Sequence, residues 1–187
     1  MNLDRNKIRS WGWLCGLILW MGCVETDRAP DGDAQQRFFD LSDYFEAEME
    51  TLRTRNEQLQ KTVRLNETEE SKTINDVEWG REFAPFVSSD INRVALLDRY
   101  TADTTRTADD QLKIVYAARD SSLRTRRIGI WMEADAPTMI RIENRTKNWI
   151  TQSRQLLTYQ PGAAYRIETT QRVILSDPRT ISIDGRW

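Results

Sequence analysis

Three carboxylates, Glu143, Glu168 and Asp184, come closest to a catalytic set in this sequence. They lie in C-terminal segments where apolar and polar residues alternate, so neighbouring strands could bring them to one face of a sheet. Paired carboxylates serve as general acid and base when burial or a close like charge raises the pKa of one of them. All three fall on the polar side of the alternation, which indicates solvated carboxylates. The sequence therefore predicts no catalytic residues.

Other catalytic and metal-binding chemistry lacks its usual side chains. The chain of 187 residues contains no histidine and only two cysteines, Cys15 and Cys23. Because histidine is the commonest general base and zinc ligand, Ser-His-Asp and Cys-His mechanisms are excluded. The sequence has no glycine-rich phosphate loop, CxxC pair or calcium loop. We therefore predict a protein that is not an enzyme and that has no cofactor and no metal site.

An aromatic residue among charged residues is the better candidate for a functional surface. Trp131 shares its strand phase with Arg127 and is opposite in phase to Ile130, which places the indole on the charged face; Glu133 follows two residues later. A central aromatic surrounded by polar groups has the composition of a binding hot spot, and it can stack on a sugar, a lipid or a protein. The alternative is a structural Trp131 that a loop or segment 61–74 covers. We predict a partner or ligand surface at Trp131, Arg127 and Glu133.

Strands with a period of two are expected to position these residues. The alternating runs cover residues 111–118, 123–133, 139–144, 149–159, 165–175 and 180–184. Short connections rich in turn-forming residues separate them, and such connections join antiparallel neighbours. The C-terminal half is therefore predicted to be a meander with one apolar and one wet face. In the fourth run the alternation changes phase, which predicts a β-bulge between Thr151 and Gln155.

Helices are expected before this meander. Segment 40–58 has apolar residues at helical spacing behind Asp40, a natural N-cap, and segment 76–87 has the pattern of a second helix that ends near Pro85. The predicted fold class is α+β, with the N-terminal amphipathic helix packed on one face of an antiparallel, mostly meander sheet of about six strands. A small hairpin and the second short helix complete it.

Connecting segments are less well defined. Residues 61–65 and 72–74 read as the strands of the small hairpin, and residues 66–71 as its polar turn. Residues 88–100 fit a short helix and an extended run equally well. Residues 101–110 read as a polar connection.

Chemistry of another kind is expected at Cys23. Three basic residues (Arg5, Lys7 and Arg9) come before an apolar run of about 12 residues. A helix of that length is roughly 18 Å long and is too short to cross about 30 Å of hydrocarbon. The segment therefore has the pattern of a signal peptide. The run ends in Leu19-Trp20-Met21-Gly22-Cys23, which resembles the lipobox of bacterial lipoproteins, although Trp20 stands where the family usually has leucine. The resemblance implies that Cys23 is acylated and becomes the mature N-terminus.

The resemblance also implies a domain organisation and a location. Residues 1–22 would be the signal peptide, 23–36 a flexible polar tether, and 37–187 a single domain. The protein would be held in the bacterial cell envelope through a lipid anchor, at the outer membrane. With 27 basic and 29 acidic residues interspersed, the chain lacks the basic face of a nucleic-acid-binding protein.

These observations lead to two expected functions. The first is a membrane-anchored envelope lipoprotein that acts as a non-catalytic interaction or structural module, with an envelope protein or a glycan as partner. The alternative is a ligand-binding module for a glycan or a lipid, similar in role to an envelope carrier or assembly factor.

Overall fold

An antiparallel sheet of nine strands dominates the computed structural model, which describes residues 38–106 and 111–187. The strand order is β2-β1-β9-β8-β7-β6-β5-β4-β3. The helices are α1 (Leu41–Thr54) and α2 (Trp79–Val87), with a short 3-10 turn at Val94–Leu96. The strands are β1 (Leu59–Leu65), β2 (Thr68–Ile74), β3 (Tyr100–Arg106), β4 (Leu112–Ala118), β5 (Thr125–Glu133), β6 (Ala136–Lys147), β7 (Thr151–Gln160), β8 (Ala164–Val173) and β9 (Arg179–Arg186).

The predicted fold class is wrong about the sheet, which is a single open sheet of nine strands and not one of about six with a separate hairpin. The hairpin joins the sheet because β1 pairs with β9, with Val63 opposite Ile183. Residues 101–106 of the predicted polar connection belong to strand β3, which pairs with β4, and residues 107–110 lie outside the described residues. Because β3 is an edge strand with six of its seven residues exposed, its sequence shows no apolar alternation.

Local predictions also need correction. The β-bulge predicted between Thr151 and Gln155 is wrong, because β7 pairs without interruption with both β6 and β8. The phase change arises because Ile150 belongs to the turn before β7, and Leu156 lies on the opposite face of β7 from Leu157 and Tyr159. The register shifts lie in β5 instead. The hairpin turn between β1 and β2 is shorter than the predicted one, since β2 already begins at Thr68.

Both helices pack on one face of the sheet. The side chain of Asp40 accepts a hydrogen bond from the backbone N–H of Asp43 at 2.9 Å, which confirms the predicted N-cap of α1. Helix α2 continues through Pro85 to Val87. In its last turn the Pro85 carbonyl accepts a hydrogen bond from the Ser89 hydroxyl at 2.7 Å. The core beneath the helices consists of fully buried residues, among them Phe45, Phe83, Phe86, Ile130, Ile140, Ile142, Leu157 and Tyr159.

The other side of the sheet is called the open face here. Its residues alternate with the core residues along each strand, as Trp131 does with Ile130 and Arg141 with Ile140 and Ile142. It carries mainly charged and polar side chains, as an antiparallel sheet with one solvated face requires.

One end of the sheet is called the Phe38 end here. The Phe38 N–H donates to Asn92 Oδ1 at 3.1 Å, and the ring lies 6.1 Å from that of Tyr100, the first residue of β3. The registers place the β6–β7 turn (148–150) and the β8–β9 turn (174–178) at this same end. The described chain therefore begins at the end of the sheet that carries these two turns.

Candidate functional site

The three candidate carboxylates lie on the open face but on separate strands, with Glu143 on β6, Glu168 on β8 and Asp184 on β9. Glu143 accepts hydrogen bonds from Arg145 Nε at 2.7 Å and from Arg154 Nε at 3.1 Å. Burial alone would raise the pKa of Glu143, but the two guanidinium groups outweigh it and lower the pKa. A carboxylate held in its ionised form in this way can fix arginines in place, and it is poorly suited to releasing a proton near neutral pH.

Asp184 has the same kind of surroundings. It accepts from Arg64 Nη1 at 2.6 Å and from Arg166 Nε, and its side chain is 14% exposed. The arginines come from β1 and β8, the two neighbours of β9. The open face thus carries cross-strand ion pairs, which hold neighbouring strands in register.

Two further carboxylates, which sequence reasoning did not single out, lie between the helices and the sheet. Glu82 of α2 accepts from Lys61 Nζ at 2.7 Å and from the hydroxyl of Tyr165. Glu48 of α1 accepts from the hydroxyl of Tyr159. No local pattern could have found these pairs, because their members lie 83 and 111 residues apart in the sequence.

These tyrosines are unsuited to act as nucleophiles or bases. Burial raises the pKa of Tyr159 and of Tyr165, and hydrogen bonding to Glu48 and Glu82 raises it further. Each neutral hydroxyl donates to its carboxylate, so the pairs fasten α1 to β7 and α2 to β8. Their role is to hold the two helices on the sheet.

Trp131 lies on the open face, as the alternation predicts. Its indole covers Gly129, since a β-carbon at position 129 would be 3.1 Å from Trp131 Cζ3. Lys113 Nζ lies 4.7 Å from the ring centroid, and Arg141 Cζ lies 5.9 Å from it, on the two neighbouring strands. The ring therefore covers Gly129 and lies close to two cations, an arrangement that cation–π attraction favours.

The structure does not place all the predicted site residues at the indole. Arg127 is exposed and lies four residues from Trp131, about 13 Å along the strand. Glu133 is exposed at the end of β5, next to the β5–β6 turn. The charged residues brought to the ring are Lys113 and Arg141, which sequence reasoning missed as neighbours because their positions depend on strand register.

Cover of Trp131 by segment 61–74, one form of the structural alternative, does not match the topology. Segment 61–74 forms much of β1 and β2, at the far side of the sheet from β5. Trp131 is partly buried, with Gly129, Lys113 and Arg141 against its ring. A partner or a ligand can reach the part of the indole that stays exposed.

Exposed apolar side chains at the Phe38 end form a second candidate surface that sequence reasoning missed. Trp149 is 83% exposed, Ile174 is 58% exposed and Leu175 projects completely into solvent. Together with Ile150 they border a shallow depression of about 720 Å³. The signal in the sequence was the presence of apolar residues in two turns. These residues were instead assigned to the predicted strands 149–159 and 165–175.

The described residues contain no group of three or more acidic, cysteine or histidine side chains that could hold a metal ion. Among these same residues, no helix has the length and apolarity that a membrane span needs. Cys23 lies outside the described residues, so its lipidation stays a prediction. Comparison of the chain with protein-family models, with curated proteins and with solved structures finds no match.

Proposed function

We propose that this protein is a non-catalytic interaction module, held at a bacterial envelope membrane by lipid on Cys23, which binds an envelope protein through the open face around Trp131. The observation that carries the proposal is the indole lying between Lys113 and Arg141 on the solvated side of the sheet. The indole covers Gly129 and is still partly exposed, so a partner can contact it. Binding there needs no rearrangement of the strands.

Charge indicates what kind of partner fits this surface. Two cations, Lys113 and Arg141, border the ring, so the surface suits an acidic protein patch with an apolar centre. A rigid aromatic contributes large contact area at little cost in conformational entropy. An aromatic between cations also suits a glycan that carries carboxylates, which is the second candidate function.

The test compares partner recovery by the native chain and by variants. After crosslinking in the native envelope, Trp131→Ala should lose the partner that the wild type recovers, whereas Leu65→Ala should keep it, since Leu65 is exposed on a distant strand. Thermal melts check that both variants fold. If Trp131→Ala proves unstable, the charge reversals Lys113→Glu and Arg141→Glu give the same test without removing the ring.

The outcomes separate the candidate functions. Equal recovery by Trp131→Ala and the wild type would contradict the proposed surface. Quenching of tryptophan fluorescence by an acidic glycan, absent in Trp131→Ala, would favour the ligand-binding function. Hydrolysis of an envelope glycan, peptide or ester by the purified protein would overturn the non-catalytic proposal.

The anchor is tested separately at Cys23. Acylation supplies about 0.8 kcal/mol per buried methylene, so two or more acyl chains anchor a protein stably. In the native host, Cys23→Ser should leave the protein unprocessed or release it into a soluble fraction. Normal processing and membrane retention of this variant would show that Cys23 is not the anchor.

A further inference from the structure

Four apolar side chains form one exposed cluster at the Phe38 end, and we call it the apolar tip. Trp149 and Ile150 come from the β6–β7 turn, and Ile174 and Leu175 from the β8–β9 turn. The Ile174 N–H donates to the Ile150 carbonyl at 3.0 Å, which joins the two turns. The exposed fractions of the four apolar residues range from 39% at Ile150 to complete exposure at Leu175. A soluble surface seldom concentrates such side chains at a turn, where polar residues are usual.

The turns hold the apolar tip in a fixed conformation. Asn148 Oδ1 accepts from the backbone N–H of Ile150 at 2.9 Å and from that of Thr151 at 2.6 Å, so the turn that displays Trp149 is closed by hydrogen bonds. Leu175 has a φ of 63°, a left-handed conformation that a leucine adopts at an energetic cost. The N–H of Ser176 donates to the Val173 carbonyl at 3.1 Å and closes this second turn. The apolar side chains are therefore displayed before any partner arrives.

Next to the apolar tip lies a basic groove of about 750 Å³. Among the described residues, the charged ones that line it are all basic: Arg124, Arg126, Arg145, Lys147, Arg154 and Arg172. Glu143 binds Arg145 and Arg154 and offsets part of this charge. Lys147 and Arg172 also border the depression at the apolar tip, where Asp177 is the one acidic lining residue that the structure describes. The positive charge that remains contrasts with the chain as a whole, whose net charge is −2.

The combination fits the surface of an anionic lipid bilayer. Tryptophan favours the interface between water and hydrocarbon, and aliphatic side chains favour the acyl region just below it. Basic residues at that depth meet the anionic headgroups, and each strengthens binding by about fivefold. A protein partner is a poorer fit, because four side chains offer less than the roughly 800 Å² per partner that a stable protein interface buries.

We propose that the apolar tip inserts into the interface of an anionic bilayer while the basic groove contacts its headgroups. This docking would fix the orientation of the domain on the membrane. The inference gains support from the proposed lipid anchor, since Cys23 is 15 residues from Phe38, a reach of at most roughly 50 Å, and Phe38 lies at the same end of the sheet as the apolar tip. The observations on the exposed side chains and the basic groove do not depend on the anchor.

The experiment uses the full, processed protein in vesicles. A fluorophore sensitive to its environment is attached at Leu175→Cys, or at Asp135→Cys as the matched control, because residue 135 is exposed in the β5–β6 turn at the opposite end of the sheet. The vesicles contain phosphatidylcholine with or without phosphatidylglycerol, and brominated acyl chains serve as quencher. The probe at 175 should shift to the blue and be quenched in anionic vesicles, and the probe at 135 should not.

Charge reversal tests the basic groove. Lys147→Glu with Arg172→Glu removes two basic residues, so the contact equilibrium measured at position 175 should weaken by at least about 25-fold. Both side chains are exposed, and thermal melts check that folding is unaffected. Contact that is equally strong after charge reversal, or in vesicles without phosphatidylglycerol, would overturn the role of the basic groove.

The outcomes also separate this inference from the proposed anchor. A protein that floats with vesicles while its probe at 175 stays unquenched would overturn the apolar tip and leave the anchor standing. If mass spectrometry before labelling shows that Cys23 is unmodified, the anchor is overturned, and the probe at 175 is then measured with Cys15 and Cys23 replaced by serine, where quenching would support the apolar tip alone. A protein that does not float with anionic vesicles would overturn both.

Discussion

Raising the pH above about 10 is expected to unfold the domain steeply, because its buried tyrosines are held in the neutral form. Burial raises the pKa of Tyr159 and Tyr165 well above the ordinary value, and Glu48 and Glu82 raise it further. Burial and Glu48 raise the pKa of Tyr44 in the same way. In the unfolded chain all three ionise near pH 10. The unfolded state therefore loses protons that the folded state keeps.

Proton linkage gives the sign and the size of this effect. The stabilisation from neutral tyrosines is fully present below the unfolded pKa and is lost as the pH rises above it, since the unfolded state then binds fewer protons. Each tyrosine contributes a slope of about 1.4 kcal/mol per pH unit, so these three together give about 4 kcal/mol per pH unit. Burial also raises the pKa of Tyr100 and Tyr116, which adds to this slope. A domain with a stability of about 8 kcal/mol would therefore unfold by about pH 12.

The assay follows circular dichroism and tyrosinate absorbance in the same samples as the pH rises. We expect the two transitions to coincide, with tyrosinate appearing only as the sheet is lost. Tyr165→Phe removes one linked proton, which should reduce the slope of unfolding free energy against pH by about 1.4 kcal/mol per pH unit. Arg127→Ala, at an exposed position, should leave the slope unchanged. Tyrosinate that forms with a midpoint near pH 10 in a fully folded protein would refute the reasoning.

Two pairs of variants test the packing of the sheet by thermal melts. A β-carbon at Gly185 would lie 2.2 Å from Tyr165 Cε1, so Gly185→Ala should cost about 1–3 kcal/mol, whereas Gly80→Ala meets nothing within 4 Å inside α2 and should gain about 0.5–1 kcal/mol. A free energy of unfolding unchanged by Gly185→Ala would mean that the Tyr165 ring does not pack against Gly185. Ile130→Ala should cost about 2–5 kcal/mol because Ile130 is fully buried, and exposed Arg127→Ala should stay within about 0.5 kcal/mol. Equal losses in this second pair would show that the faces of β5 are misassigned.

The sequence predicted those elements whose apolar residues all contact the core. Helix α1 begins directly after its predicted N-cap, Asp40. The alternation of apolar and polar residues around Ile130 correctly separates the two faces of β5. Strand β3 was missed because an edge strand with a solvated surface needs no apolar pattern, and its stability comes from backbone pairing with β4. Pairing of β1 with β9 was missed because nothing in either segment specifies a partner so distant in sequence.

The candidate surfaces show the same limit. Alternation alone places Trp131 on the open face, but the cations beside it come from β4 and β6, and only strand register brings Lys113 and Arg141 to the ring. At Trp149 the error was of another kind. Its apolar side chain fits the pattern of a strand, which led to the wrong assignment. In the structure the side-chain oxygen of Asn148 accepts a hydrogen bond that closes a turn, and the indole of Trp149 is exposed to solvent.

The position of β9 between β1 and β8 determines the order in which the sheet can fold. Strands β3 to β9 can add one after another through short turns, so their contacts form quickly. The β1–β2 hairpin emerges earlier from the ribosome, but two strands alone are marginally stable in water. It can join the sheet only after β9 has formed, and the Arg64–Asp184 ion pair then closes a loop of 120 residues. The first hairpin to be synthesised is therefore the last to join the sheet.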